Sequence, residues 1–140
     1  MKVLLLILLL LNLSACETKQ TTYERNKGYG IPWEKDLNTA FKKAKIENKI
    51  IMVMATSDDC RWCEKMKKNT LSKAHVIKKL KNYILVMADK ETKEETNQLP
   101  PFQHVPMIFF MTHEKETLDT LRGYFSPEDF LEYLIDFEEN

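Results

Sequence analysis

The chain has 140 residues, which fits one domain and leaves no room for a second domain of ordinary size. Its 21 lysine and arginine residues balance 21 aspartate and glutamate residues, so the formal net charge is zero. A balanced charge gives no electrostatic preference for nucleic acid, and we expect no nucleic-acid partner.

The first sixteen residues are typical of a bacterial export signal. Lys2 precedes an apolar run from Val3 to Leu11, which is shorter than the ~20 residues that a membrane-spanning helix needs. After the run come Asn12 and then Leu-Ser-Ala-Cys, which resembles the lipobox, where a peptidase cuts before the cysteine and the cysteine carries a lipid. We expect residues 1–15 to be a signal peptide and Cys16 to be lipidated. The alternative is an ordinary cleavage site beside a chance cysteine.

The segment after Cys16 is mostly polar up to residue 30 and has too little apolar content to form a core. It is interpreted as a flexible tether that holds a folded domain, residues 31–140, off a membrane surface.

Three continuous apolar runs predict strands that are buried on both faces. They span residues 50–55, 83–88 and 107–111. The polar turn 112–116 and the segment 117–122 predict a hairpin after the third run.

Helices are predicted between and after these strands. The first follows Trp33 and is amphipathic, with apolar residues at 37, 40, 41 and 44. The last has Ser126 as its N-cap and Pro127 at its first position. The predicted helical segments are about 37–48, 60–69, 74–81, part of 90–98, and 126–137. The sequence therefore predicts an α/β fold with a central mixed sheet and helices on both faces.

Cys60 and Cys63 stand three residues apart at the start of the second predicted helix. One helical turn brings them close enough to form a disulfide. The sulfur of Cys60 would lie near the unpaired amide groups of the helix, which favour the thiolate. We predict that Cys60 is the nucleophile and that Cys63 resolves the mixed disulfide. Arg61 favours this thiolate, whereas the acids at 58 and 59 oppose it, so the redox direction stays open.

Three other interpretations of the cysteine pair remain: a static disulfide, two unpaired core cysteines, or half of a metal site. A disulfide that closes so short a loop removes little chain entropy. His75, His104 and His113 form no close ligand motif with the pair, so no metal and no cofactor are expected. If Cys16 carries a lipid, the odd count of three cysteines leaves one redox pair.

The strand, the Cys-x-x-Cys helix and the Val105-Pro106 pair before a further strand together resemble the thioredoxin superfamily. The match spans about Trp33 to Phe137. Within it, the helix with Ala40, Ala44 and Lys45, the Asn48-Lys49 pair and the following strand are most similar to bacterial periplasmic thioredoxin-like proteins and animal anterior-gradient proteins.

The resemblance implies that Pro106 is a cis-proline facing the cysteine pair, and that the backbone at Val105 pairs with an extended substrate. It also places Arg61 and Trp62, between the cysteines, at the substrate-facing surface. Gly123 matches a glycine used for backbone geometry.

The chain also departs from the thioredoxin pattern. Asp59 replaces the usual tryptophan before the first cysteine, and Met54 stands where thioredoxin has a buried acid. The proton path for the resolving cysteine is therefore open, with Lys45, Glu64 or water as candidates.

The resemblance, together with the export signal and the lipobox-like segment, implies a periplasmic thiol-disulfide oxidoreductase tethered to a bacterial membrane. It would reduce, form or rearrange disulfides of exported proteins, and reduction is the preferred direction. A membrane thiol protein is the expected electron donor. The alternatives are a noncatalytic thioredoxin-fold binding protein or chaperone of the cell envelope, which would hold extended segments at Val105-Pro106, and a carrier of copper or zinc.

Overall fold

The computed structural model describes residues 28–140 and places five strands in one mixed sheet. Residues 1–27 lie outside the described part, and with them the predicted signal peptide, Cys16 and most of the predicted tether. Within residues 28–140, no helix has both the length and the apolar character needed to cross a membrane. The predicted α/β fold with a central mixed sheet is confirmed.

The strands are β1 (Trp33–Glu34), β2 (Ile50–Thr56), β3 (Tyr83–Asp89), β4 (Met107–Met111) and β5 (Thr117–Arg122). Their spatial order is β1-β3-β2-β4-β5. β2 lies in the middle, parallel to β3 and antiparallel to β4. The three apolar runs form β2, β3 and β4 as predicted, and the predicted hairpin joins β4 to β5.

The helical segments of the described range are α1 (Leu37–Glu47), α2 (Arg61–Lys65), a π-helical segment (Met66–Leu71), α3 (Ala74–Leu80), α4 (Lys93–Thr96) and α5 (Pro127–Glu139). The helix predicted at 60–69 is thus present, but its hydrogen bonding widens to a π-helix in the second half. Ser126 accepts the backbone N–H of Asp129 at 3.1 Å, so α5 begins where the capping pattern predicts.

The chain around Trp33 forms a strand that the sequence did not predict, whereas the amphipathic helix predicted after it is confirmed. Trp33 pairs with Leu85 in the parallel ladder between β1 and β3. The carboxylate of Asp36 then accepts the backbone N–H of Thr39 at 2.7 Å and caps α1, which begins at Leu37. The strand was missed because two residues carry almost no periodic signal and the pairing depends on a partner about fifty residues away.

Helices cover both faces of the sheet. On one face α1 packs on alternating residues of β2, β3 and β4, including Val53, Val86 and Phe109. On the other face α2, the π-helical segment, α3 and α5 enclose a second core, which contains Cys63 and Phe110. The cysteine helix is therefore fixed by the same apolar packing that holds α5 on the sheet.

The end of α5 is tied to the rest of this face through Glu138. Its carboxylate accepts hydrogen bonds from Lys79 Nζ at 2.6 Å, the Tyr83 hydroxyl at 2.9 Å and Asn82 Nδ2 at 3.2 Å. Burial raises the pKa of the Glu138 carboxyl, but the hydrogen bonds from Lys79, Asn82 and Tyr83 outweigh it and hold the pKa below its ordinary value.

We expect Glu138→Gln to lower the free energy of unfolding by about 1 kcal/mol at pH 7, because a charge-assisted network is replaced by neutral hydrogen bonds. A lowered pKa in the folded state means that the ionised carboxyl stabilises the fold above the ordinary value of 4.5, and that this stabilisation is lost as the pH falls through the folded pKa. The free energies of unfolding of wild type and variant, measured with urea, should therefore differ at pH 7 and become equal in acid.

The neighbouring Glu139→Gln is the matched control, since Glu139 is exposed on the same helix. If both variants lose the same free energy of unfolding at pH 7, this account is contradicted. The same holds if Glu138→Gln remains less stable than wild type in strong acid.

Candidate active site

Cys60 and Cys63 form a disulfide at the carboxyl end of the central strand. The S–S distance is 2.10 Å and the two Cα atoms lie 5.2 Å apart. β2 ends at Thr56, and the backbone N–H of Cys60 donates to the carbonyl of Ser57 at 3.3 Å across the following turn. The tight turn places Cys60 at the N-cap of α2.

The sulfur of Cys60 takes the place of a capping oxygen. The backbone N–H of Cys63 donates to Cys60 Sγ at 3.0 Å. Such a donor stabilises negative charge on sulfur, so it favours the thiolate when the pair is reduced.

The two cysteines differ sharply in exposure. Cys63 is 1% exposed and belongs to the apolar core beneath α2, whereas Cys60 is half-buried at the edge of that core. A large substrate can therefore approach Cys60 first, and Cys63 can reach only a sulfur already attached to Cys60.

An open groove of about 330 Å³ lies beside the pair and is lined by Trp62, Val105, Pro106, Gly123 and Tyr124. The Val105–Pro106 peptide bond is cis. The backbone N–H of Gly123 donates to the Pro106 carbonyl at 2.9 Å, and its φ of +90° lies in the region that favours glycine. Three of the predicted substrate-facing residues, Trp62, Val105 and Pro106, therefore line one groove.

Tyr124 and Lys65 were not singled out from the sequence, yet Tyr124 lines this groove and Lys65 lies over two of its aromatic rings. The rings of Trp62 and Tyr124 have centroids 5.7 Å apart. Lys65 Nζ lies 4.8 Å from the Trp62 centroid and 4.5 Å from the Tyr124 centroid. The spacing of three residues between Trp62 and Lys65 on a helix could have predicted their contact from the sequence. The contact with Tyr124 could not be predicted, because it depends on how the loop before α5 packs.

A polar pocket of about 450 Å³ is lined by both cysteines together with charged side chains. Its charged residues are Asp58, Asp59, Arg61, Glu64 and Lys67. Arg61, predicted to face the substrate, lines this pocket and is absent from the apolar groove.

Glu64 is held in place by two partners. Its carboxylate accepts a hydrogen bond from the Tyr29 hydroxyl and forms an ion pair of 2.9 Å with Lys67 Nζ. The hydrogen bonds from Tyr29 and Lys67 hold the pKa of Glu64 below its ordinary value. Glu64 is therefore a carboxylate at neutral pH and acts as a fixed negative charge beside the pair.

The other candidates for proton transfer are placed differently. Lys45 is exposed on α1, whose core residues pack on the opposite face of the sheet. Met54 is buried in the same core as Cys63, so this core has an apolar side chain at the position where the resemblance implies a buried acid. His104 is exposed next to Val105. In residues 28–140 no group of three or more histidine, cysteine or acidic side chains is arranged to hold a metal.

A mixed sheet with a redox-type cysteine pair at the start of a helix and a cis-proline beside it defines the thioredoxin fold class. The family model of the thioredoxin-like domain matches residues 37–138. The chain therefore belongs to the thioredoxin-like family, as its sequence resemblance implied.

Known proteins are similar to this chain in sequence and in fold. Anterior gradient protein 3 of Mus musculus is 25% identical over 127 residues, which cover 88% of this chain and 77% of that protein. A thioredoxin from Thermus thermophilus superposes with a TM-score of 0.64 at 21% identity, covering 76% of this chain and 85% of its own. A DsbH oxidoreductase superposes with a TM-score of 0.60 at 18% identity, covering 88% and 94%. At this identity the solved structures establish the fold.

Proposed function

We propose that this protein is a thiol-disulfide oxidoreductase on the periplasmic side of a bacterial membrane, and that it reduces disulfides in exported proteins. The observation that carries the proposal is the half-buried sulfur of Cys60, which accepts the Cys63 N–H at 3.0 Å beside the groove at Pro106.

The reaction begins with the reduced pair. The Cys60 thiolate attacks one sulfur of a substrate disulfide, the substrate S–S bond breaks, and its other sulfur leaves as a thiolate that takes up a proton. Cys63 then loses its proton and attacks Cys60 Sγ, which releases the second substrate thiolate for protonation. The substrate gains two electrons and two protons, and the protein is left as the Cys60–Cys63 disulfide seen here.

The groove supports a role in holding the substrate during this exchange. An extended segment beside Val105 would place its cysteine at Cys60, while Trp62 and Tyr124 offer apolar contact to neighbouring side chains. Trp62 is 49% exposed, so its ring is open to such contact.

Charge around the pair supports reduction as the direction. Three carboxylates, those of Asp58, Asp59 and Glu64, line the polar pocket against two cations. A thiolate in a slightly negative environment is less stabilised, which keeps the reduced pair a better electron donor. A membrane dithiol protein would then have to return two electrons to the oxidised pair.

Covalent trapping tests the activity. We expect Cys63→Ala to accumulate mixed disulfides between Cys60 and exported proteins, because the resolving sulfur is missing. Nonreducing gels and mass spectrometry of the adducts measure this. The matched variant Cys60→Ala should form few adducts, since Cys63 is buried.

Equal trapping by the two variants, or none by either, would contradict the proposal. A Cys60→Ser/Cys63→Ser variant that keeps the full cellular role would favour the alternative of a noncatalytic binding protein, for which the groove at Pro106 is the supporting feature.

The membrane anchor is proposed from the sequence alone, on the lipobox-like segment that ends at Cys16. We expect Cys16→Ser to move the protein from the membrane fraction to the soluble fraction and to abolish incorporation of labelled palmitate. Cys60→Ser serves as the control and should stay labelled and membrane-bound. Labelled palmitate retained by Cys16→Ser would contradict the anchor.

A further inference from the structure

Lys67 is a charged residue buried beside the cysteine pair. Its side chain is 6% exposed and its ammonium group pairs with Glu64 Oε2 at 2.9 Å. Removing an ammonium group from water is unfavourable unless a partner compensates it. Glu64 is that partner, and its own side chain is 52% exposed, so the pair reaches from the interior to the surface.

The chain positions this pair directly against the redox centre. Glu64 follows Cys63, and Lys67 comes about one helical turn later, so its side chain extends along the same side of the helix. Both residues line the polar pocket together with Cys60 and Cys63.

Other charged groups face the same pocket from neighbouring segments. Asp58 and Asp59 lie in the turn after β2, and Arg61 opens α2. Thr56 also lines the pocket, and its register partner on β3 is the buried Asp89. Lys67 is the buried cation among these groups, so its removal would leave the surrounding carboxylates opposed by Arg61 alone within the pocket lining.

We propose that the Glu64–Lys67 ion pair sets the redox balance of the Cys60–Cys63 pair, with Lys67 stabilising the reduced, thiolate form and Glu64 opposing it. The inference rests on the proposed thiol-disulfide chemistry and names two positioning residues for it. The oxidised pair is neutral and the reduced pair carries a thiolate, so a fixed charge nearby acts on the reduced form alone.

The two residues therefore have effects of opposite sign. Loss of the positive charge at Lys67 destabilises the thiolate, favours the disulfide and makes the reduced pair a stronger electron donor. Loss of the negative charge at Glu64 does the reverse. If the two residues had only a structural role, their effects would not have opposite signs. Damage to the helix would shift the thiol-disulfide equilibrium of both variants in the same direction.

The experiment compares Lys67→Met, Glu64→Gln and the control Lys68→Met in the full chain purified in detergent. Lys68 is the next residue, is exposed and does not line the pocket, so its variant removes the same charge from outside the pocket lining. Its charge is the smallest of the influences that lower the pKa of Glu64. Each protein is equilibrated with reduced and oxidised dithiothreitol, which supplies or accepts the two electrons, and its thiols are trapped with an alkylating agent. The pH dependence of Cys60 alkylation is measured in parallel.

We expect Lys67→Met to shift the equilibrium about tenfold toward the disulfide and to move the alkylation midpoint to higher pH. Glu64→Gln should shift both quantities the other way, and Lys68→Met should change the equilibrium less than about twofold. Glu64→Gln alters the exposed member of the pair, so it tests the charge effect even if Lys67→Met folds poorly.

Shifts of the same sign for both pocket variants, or a shift for Lys68→Met as large as that for Lys67→Met, would overturn the inference. A wild-type pair that exchanges with dithiothreitol but traps no exported protein would overturn the proposed function and leave this inference standing. A wild-type pair that never exchanges would overturn both.

Discussion

The hydrogen bond from the Cys63 backbone N–H to the Cys60 sulfur is the interaction on which the site depends. It forms because β2 is held between β3 and β4 in the middle of the sheet, and because the turn after Thr56 delivers Cys60 to the N-cap of α2. The core beneath α2 then buries Cys63 and leaves Cys60 accessible. The two cysteines thus differ in exposure because of the position of one helix on one sheet, and the proposed roles of nucleophile and resolving cysteine rest on that difference.

The site has two sides of different character. Trp62, Tyr124 and Pro106 form an apolar groove, which suits binding of an extended chain by contact. Glu64 and Lys67 belong to a polar pocket, where fixed charges act on the sulfur atoms. In this account one side governs which substrates exchange and the other governs how readily electrons move.

The sequence predicted β2, β3 and β4 well because these strands are buried on both faces and therefore carry unbroken apolar runs. It also located Cys60 and Cys63, since their spacing at a helix start has a direct chemical meaning. The sequence did not reveal β1, because the pairing of Trp33 with Leu85 is long-range. It also did not reveal the π-helical segment that begins at Met66. Tyr124 escaped notice because tertiary packing alone brings it to Trp62. Lys67 escaped notice because its helical spacing from Glu64 does not show that the lysine side chain is buried.

The most direct test of this account is the reduction potential of the Cys60–Cys63 pair in the wild-type protein, measured by equilibration with dithiothreitol buffers and thiol trapping. We expect reversible exchange with a potential near that of thioredoxin, ~−270 mV. A pair that stays oxidised to potentials well below ~−300 mV would behave as a structural disulfide and would contradict the account.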